Sequence, residues 1–235
     1  MKDLLGKAIY DYHLGKDTGI LYTETSISET EEMDVSYFFR PFKDMPELEQ
    51  KALQLAKGKI LDIGCGAGSH ALYLQDEREL EVKAIDISPL SVKTASSRGV
   101  KNAECIDLFE LEEQQYDTVL LLMNGSGILG SYEGLYTGLN KLRSLIAPGG
   151  QALIDSSDLI YMFDEDEDGG KWVPGDQYYG QLEFTITYDD ESETFPWLYI
   201  DFDSLAQACA HCGLYCEMIL EGENYDYLAR ITAAI

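Results

Sequence analysis

The sequence predicts an α/β fold built on a doubly wound, mostly parallel sheet of seven strands. Three observations carry this. Strand-sized apolar runs alternate with helix-patterned runs from about Lys59 onward. The turns between them are short. The first strand runs straight into a glycine-rich turn and then a helix.

The elements follow in order. Lys59 to Ile63 reads as a short buried strand, and Ser69 to Gln75 begins a helix. Glu81 to Asp86 is the second strand. Ser88-Pro89 then supplies an N-cap and a proline at the first helical position, opening a helix to about Arg98. Ala103 to Ile106 is the third strand. Tyr116 to Met123 is the fourth, apolar almost throughout, as a central parallel strand should be. Leu135, Leu139, Leu142 and Ile146 share one face of a helix from Tyr132 to Ile146. Pro148-Gly149-Gly150 ends that helix, and Gln151 to Asp155 is the fifth strand. A helix (Phe202 to Cys212) and two strands (Leu214 to Leu220, Tyr225 to Ile231) complete the pattern.

Two regions break the rhythm. Residues 1–50 form an aromatic, acidic N-terminal cap segment, with a helix expected from Pro46 to Lys57 leading into the sheet. Residues 51–235 form the main domain, interrupted at about 156–200 by a small β insertion. There Leu182, Phe184, Ile186 and Tyr188 alternate with Glu183, Thr185 and Thr187, the pattern of a half-buried antiparallel strand, with Trp197 and Tyr199 on its partner.

Composition excludes several classes of function. The 235 residues carry 17 basic and 43 acidic side chains, a formal charge of −26. Nucleic acid and anionic membranes are disfavoured as partners of so negative a chain. Apolar residues make up 45%, enough for a sizeable core rather than a disordered acidic tail. Met1 to Lys7 has no apolar stretch behind it, so no secretory signal is expected. Five cysteines without framework spacing suit a reducing, cytoplasmic setting.

The chemistry is concentrated in Ile60-Leu61-Asp62-Ile63-Gly64-Cys65-Gly66-Ala67-Gly68. Glycines there let a ligand back onto the main chain, and the N–H groups of the helix start point to the same place. The dinucleotide fingerprint G-x-G-x-x-G would need its last glycine at Ser69, which weakens a nicotinamide reading. The next two strands end on Asp86 and Asp107.

This order resembles the S-adenosylmethionine (SAM) site of class I methyltransferases, in particular small Bacteroides-type members with a long cap after the fifth strand. It covers residues 59 to 155 closely and the C-terminal part in outline. The resemblance implies a Rossmann-like sheet with its last strand antiparallel, and SAM as cofactor. Asp86 would accept from the ribose hydroxyls, with Ile87 on the adenine face. Asp107 would accept from the adenine amino group, with the Leu108 N–H at a ring nitrogen. Asp62 and the loop of Gly64, Cys65, Gly66 and Gly68 would hold the methionine end, helped by Tyr37 and Arg40. Met123 and Asn124 would lie beside the activated methyl. An acidic pocket suits a sulfonium cation. Asn124-Gly125-Ser126-Gly127 lacks the Asn-Pro-Pro-Tyr pattern of amide and adenine methylating enzymes. A small-molecule acceptor and a monomer or homodimer are expected.

Tyr37 and Asn124 are the candidates for a catalytic role, followed by the Asp155-Ser156-Ser157-Asp158 run. Cys209, Cys212 and Cys216 with His211 hint at metal ligation, but the helical spacing of Phe202, Leu205, Cys209 and Cys212 reads as core, and no metal is expected. The Asp164 to Asp168 run lacks calcium-loop spacing and reads as a solvated loop. Two rivals remain at this point: an NAD(P)-dependent oxidoreductase on the same sheet, and a SAM- or nucleotide-binding module without turnover. Methylation of protein or RNA is a further possibility, RNA being disfavoured by the charge.

Overall fold

The computed structural model describes every residue except Met1, Asp17, Thr18, Glu113, Glu167, Gly169, Pro174 and Ile235. The acidic 164–168 run therefore falls partly outside the described residues. The helices are α1 (Leu4–His13), α2 (Glu47–Leu55), α3 (Ser69–Leu72), α4 (Pro89–Arg98), α5 (Tyr132–Leu145) and α6 (Phe202–His211). The strands are β1 (Leu21–Thr25), β2 (Glu31–Met33), β3 (Lys59–Ile63), β4 (Glu81–Asp86), β5 (Ala103–Cys105), β6 (Tyr116–Leu121), β7 (Ile146–Ser157), β8 (Gln181–Tyr188), β9 (Glu191–Leu198), β10 (Leu214–Glu221) and β11 (Asp226–Ala233).

Seven strands form the main sheet in the order β10-β11-β7-β6-β3-β4-β5. The β3–β4, β3–β6, β4–β5 and β6–β7 pairs are parallel. β11 runs antiparallel to both β7 and β10, so the last strand alone is reversed. This is the Rossmann-like arrangement expected. Alternate residues feed opposite cores. Leu61, Val119, Leu121 and Ile154 pack under α5 and α6. Ile60, Leu120 and Leu153 pack under α2 and α3, joined by Ala95 of α4. The helix starts follow local chemistry. The Ser88 hydroxyl accepts the Ser91 N–H at 2.9 Å, the Ser131 hydroxyl that of Gly134 at 2.9 Å, and Asp201 that of Ser204 at 2.9 Å.

Two expectations need correction. The fourth strand stops at Leu121, because Met123 and Asn124 turn left-handed at φ 67° and 55°. The fifth strand starts at Ile146, not Gln151. Pro148-Gly149-Gly150 is absorbed as an irregularity in the pairing between Tyr116 and Thr118 rather than as a break.

A second, antiparallel sheet has the order β2-β1-β8-β9. The hairpin β8–β9 was legible from its alternation; α1, β1 and β2 were not. Tyr22 pairs with Thr187 and Thr23 with Ile186, so the N-terminal segment and the 181–198 hairpin build one sheet. Leu4, Ala8, Ile9, Leu21, Val35, Ile186 and Tyr188 form its core, which reaches Ala67 of the glycine turn. No described helix is long and apolar enough to cross a membrane.

Candidate functional site

The glycine turn lies where β3 ends and α3 begins. Gly64, Gly66 and Gly68 all have positive φ. A Cβ on Gly68 would sit 2.7 Å from Val100 Cγ2, so that glycine is needed for packing. A Cβ on Gly66 would meet nothing nearer than Phe38 Cδ1 at 4.0 Å. Gly66 therefore faces open space, the side from which a ligand can approach the backbone.

Acidic groups flank this turn. Asp86 Oδ2 accepts the Gly66 N–H at 2.9 Å, and Oδ1 accepts the Ser88 N–H at 2.8 Å. Burial raises the Asp86 carboxyl to about 6 against those two N–H groups. Asp62 is 2% exposed, and its Oδ2 has no hydrogen-bond partner among the described residues. Burial pushes its pKa up, partly offset by the charge of His70. Cys65 is buried, and burial raises its thiol well above the ordinary range, so it stays a neutral thiol.

The adjacent strand ends are tied together. The Ile106 N–H donates to the Asp86 carbonyl at 3.0 Å. Asp107 then caps a short turn by accepting the Phe109 N–H at 2.8 Å, with Leu108 buried beneath. Ile87, just past the end of β4, is 52% exposed, an apolar side chain left uncovered beside them.

On the other side of β3, the Asp155 carboxylate clamps the turn after β6. It accepts from the Met123 N–H at 3.2 Å and the Gly125 N–H at 3.1 Å. Burial raises Asp155 to about 6. The Ser157 hydroxyl donates to Asn124 Oδ1 at 2.9 Å. Beyond lies Gly127, where an added Cβ would fall 1.8 Å from the Trp197 ring. The second sheet thus rests directly on the backbone beside Asn124.

The N-terminal segment is latched to the glycine turn twice. Ser69 donates to the Phe38 carbonyl at 2.7 Å, while Arg98 donates to the Ala67 carbonyl at 2.6 Å with its guanidinium over the Phe39 ring. Arg40 pairs with buried Glu49 and donates to the Tyr37 carbonyl, its guanidinium 3.6 Å from the Tyr37 ring centroid. Glu49 also faces His70 Nε2 at 2.6 Å. Burial raises the Tyr37 hydroxyl, outweighing the Arg40 charge, so it keeps its proton.

Asp62 and Asp86 therefore flank the glycine turn, with Asp107 and Leu108 in the turn that follows β5 and Met123 and Asn124 in the turn that follows β6. Glu49, His70 and Arg98 were missed as a group, because nothing in their spacing announces contacts made only after folding. Asp155 was visible in its run, but its clamp on the turn was not. Cys209 and Cys212 pack in the core beneath α6.

The methyltransferase-domain family model matches residues 60–150, the stretch from β3 into β7. A SAM-dependent methyltransferase from Bacteroides fragilis, solved with S-adenosyl-L-homocysteine, is 46% identical; the match covers 100% of this chain and 96% of that one, with a TM-score of 0.91. Among curated relatives, a Synechococcus uncharacterised protein is 33% identical over 106 residues, 43% of this chain, and a methyltransferase of Strobilurus tenacellus is 28% identical over 108 residues, 45% of this chain. The matched stretch spans only 25% and 38% of those two proteins. With the strand order, the glycine turn and full-length likeness in agreement, this chain belongs to the class I SAM-dependent methyltransferase family.

Proposed function

We propose that the protein transfers a methyl group from SAM to a small-molecule acceptor. The observation that carries this is the buried, unpartnered Asp62 Oδ2 behind the glycine turn. A buried carboxylate oxygen without a donor is costly, and an ammonium group from a ligand would satisfy it. A second orphan among the described residues is Arg40 Nε, a donor suited to a carboxylate, and both Arg40 and Asp62 act through their charges on His70. Together they match the two ends of an amino-acid moiety.

The remaining roles follow from reach. Asp86 keeps lone pairs for vicinal hydroxyls, while Asp107 and the Leu108 N–H read an adenine edge. Ile87 covers its face, and the N–H groups of Gly64, Cys65, Gly66 and Gly68 line the approach. The cofactor supplies an electrophilic methyl group when bound. This chain's residues orient and exclude water. Met123 and Asn124, fixed by Asp155 and Ser157, form the wall beside the reacting centre. Tyr37, held protonated, orients rather than removes a proton.

Residues 1–50 and the 156–200 insertion act as a joint cap over the rest of the 51–235 domain, which favours an acceptor small enough to fit beneath it. The charge of −26 disfavours RNA as acceptor. Calorimetry with S-adenosylhomocysteine tests the reading. Micromolar binding supports it; binding of NADH without any response to S-adenosylhomocysteine overturns it. Binding without methyl loss across a broad acceptor panel would instead favour a non-catalytic module.

A further inference from the structure

One carboxylate behind the glycine turn serves two cations. Glu49 on α2 has a side chain 4% exposed. Its Oε1 pairs with Arg40 Nη2, and its Oε2 lies 2.6 Å from His70 Nε2 on α3. Arg40 and His70 are 8% and 11% exposed, so all three sit in a poorly screened environment. Other groups also face His70. Asp62 on β3 acts on it through its charge, as does Arg40 from the N-terminal segment. Asp155 on β7 lies close enough to feel both His70 and Glu49, and Tyr37 adjoins Arg40.

The charge count within this trio depends on one proton. With His70 protonated, two positive charges share one negative charge, and one positive charge is left over. With His70 neutral, Glu49 cancels Arg40 and nothing is left over. Arg40 is the donor that the reading above assigns to the cofactor's carboxylate, and this inference rests on that reading.

We propose that His70 is a positioning residue that acts through Glu49: its proton decides how much of the Arg40 charge is free to hold the carboxylate of the bound cofactor. Cofactor affinity then falls as pH rises and His70 loses that proton, and binding takes up a proton in the same range. Linkage makes the effect reciprocal, since a bound carboxylate favours the imidazolium. The His70 pKa lies above its ordinary value. Burial opposes the imidazolium, but the Glu49 hydrogen bond and the Asp62 and Glu49 charges outweigh it.

The test is calorimetry of S-adenosylhomocysteine from about pH 7 to about pH 9, in two buffers of different ionisation heat, with wild type and H70Q. This range starts above the carboxyls of Asp86 and Asp155, both near 6. Titration of the ligand itself is common to both proteins. Wild type should lose about tenfold in affinity per unit by which binding shifts the His70 pKa, with net proton uptake. H70Q should show a flatter profile at the wild-type high-pH level, and E49Q should likewise lose the slope. A purely structural role for His70 would lower the melting temperature of H70Q without changing the slope. A wild-type profile no steeper than that of H70Q, or no proton uptake by wild type, overturns the proposal while leaving the cofactor reading intact. No binding by wild type at any pH overturns both.

Discussion

Asp86 Oδ2 accepts the Gly66 N–H at 2.9 Å, so the acidic end of β4 is bonded to the middle of the glycine turn. The pair fixes the turn, and the proposed function assigns the remaining carboxylate lone pairs to the cofactor's hydroxyls. D86A should weaken S-adenosylhomocysteine binding about 10- to 100-fold, the scale of one or two lost charge-assisted hydrogen bonds. Isothermal calorimetry at pH 7.5 checks this, and unchanged affinity would remove Asp86 from the site.

Gly66 and Gly68 should respond differently to alanine. G68A drives a Cβ into Val100 at positive φ and should cost about 1–3 kcal/mol in urea unfolding. G66A meets open space, so its cost should be about 1 kcal/mol, from backbone strain alone. Ligand binding should reverse the order, with G66A losing most of its affinity because its methyl projects to the side where the cofactor is proposed to bind.

Asp155 holds two N–H groups of a turn whose residues Met123 and Asn124 are left-handed. D155A leaves those donors without their acceptor and should cost about 2–3 kcal/mol. If the turn borders the reacting centre as proposed, steady-state kinetics should show kcat falling more than cofactor affinity. Equal losses in both would contradict that division.

The same carboxyl gives a signed pH effect. Its pKa rises on folding from 3.8 to about 6, so ionising it in place costs stability. The contribution is present in full below pH 3.8 and is lost as pH rises through about 6. D155N should therefore flatten the stability profile between about pH 4 and pH 6, as read from urea midpoints. A parallel profile in the variant would show that Asp155 does not titrate there.

G127A tests the contact between the two sheets. The added methyl would fall 1.8 Å from the Trp197 ring, which must move. The melting temperature should drop by several degrees, corresponding to about 1–3 kcal/mol. Pairing with W197L should recover part of that loss, whereas additive losses would mean that the ring is not what the methyl meets.

Most of the main sheet was legible because its signals are local. Ser88-Pro89 caps α4 through neighbouring atoms, and the apolar run of β6 reports burial on both faces. The Asp62 to Gly68 turn and Asp86 were visible because each residue type answers a nearby constraint. β1 and β2 were not, because Leu21 to Thr25 has neither length nor alternation enough to declare a strand without β8 beside it. Glu49 failed for the same reason. A glutamate on an acidic helix looks solvated until His70 and Arg40 arrive from elsewhere in the chain.

The pairing of Tyr22 with Thr187 also orders events during synthesis. The residues of β1 wait for a hairpin that ends at Leu198 before β8 is there for them to pair with. Late closure of long-range pairings is slow and leaves edges exposed meanwhile. A nascent chain would therefore form the parallel core around β3, β4 and β6 well before β1 is secured against β8. Stalling translation between the codons for β7 and β8 should leave an N-terminal segment open to proteases on an already compact core.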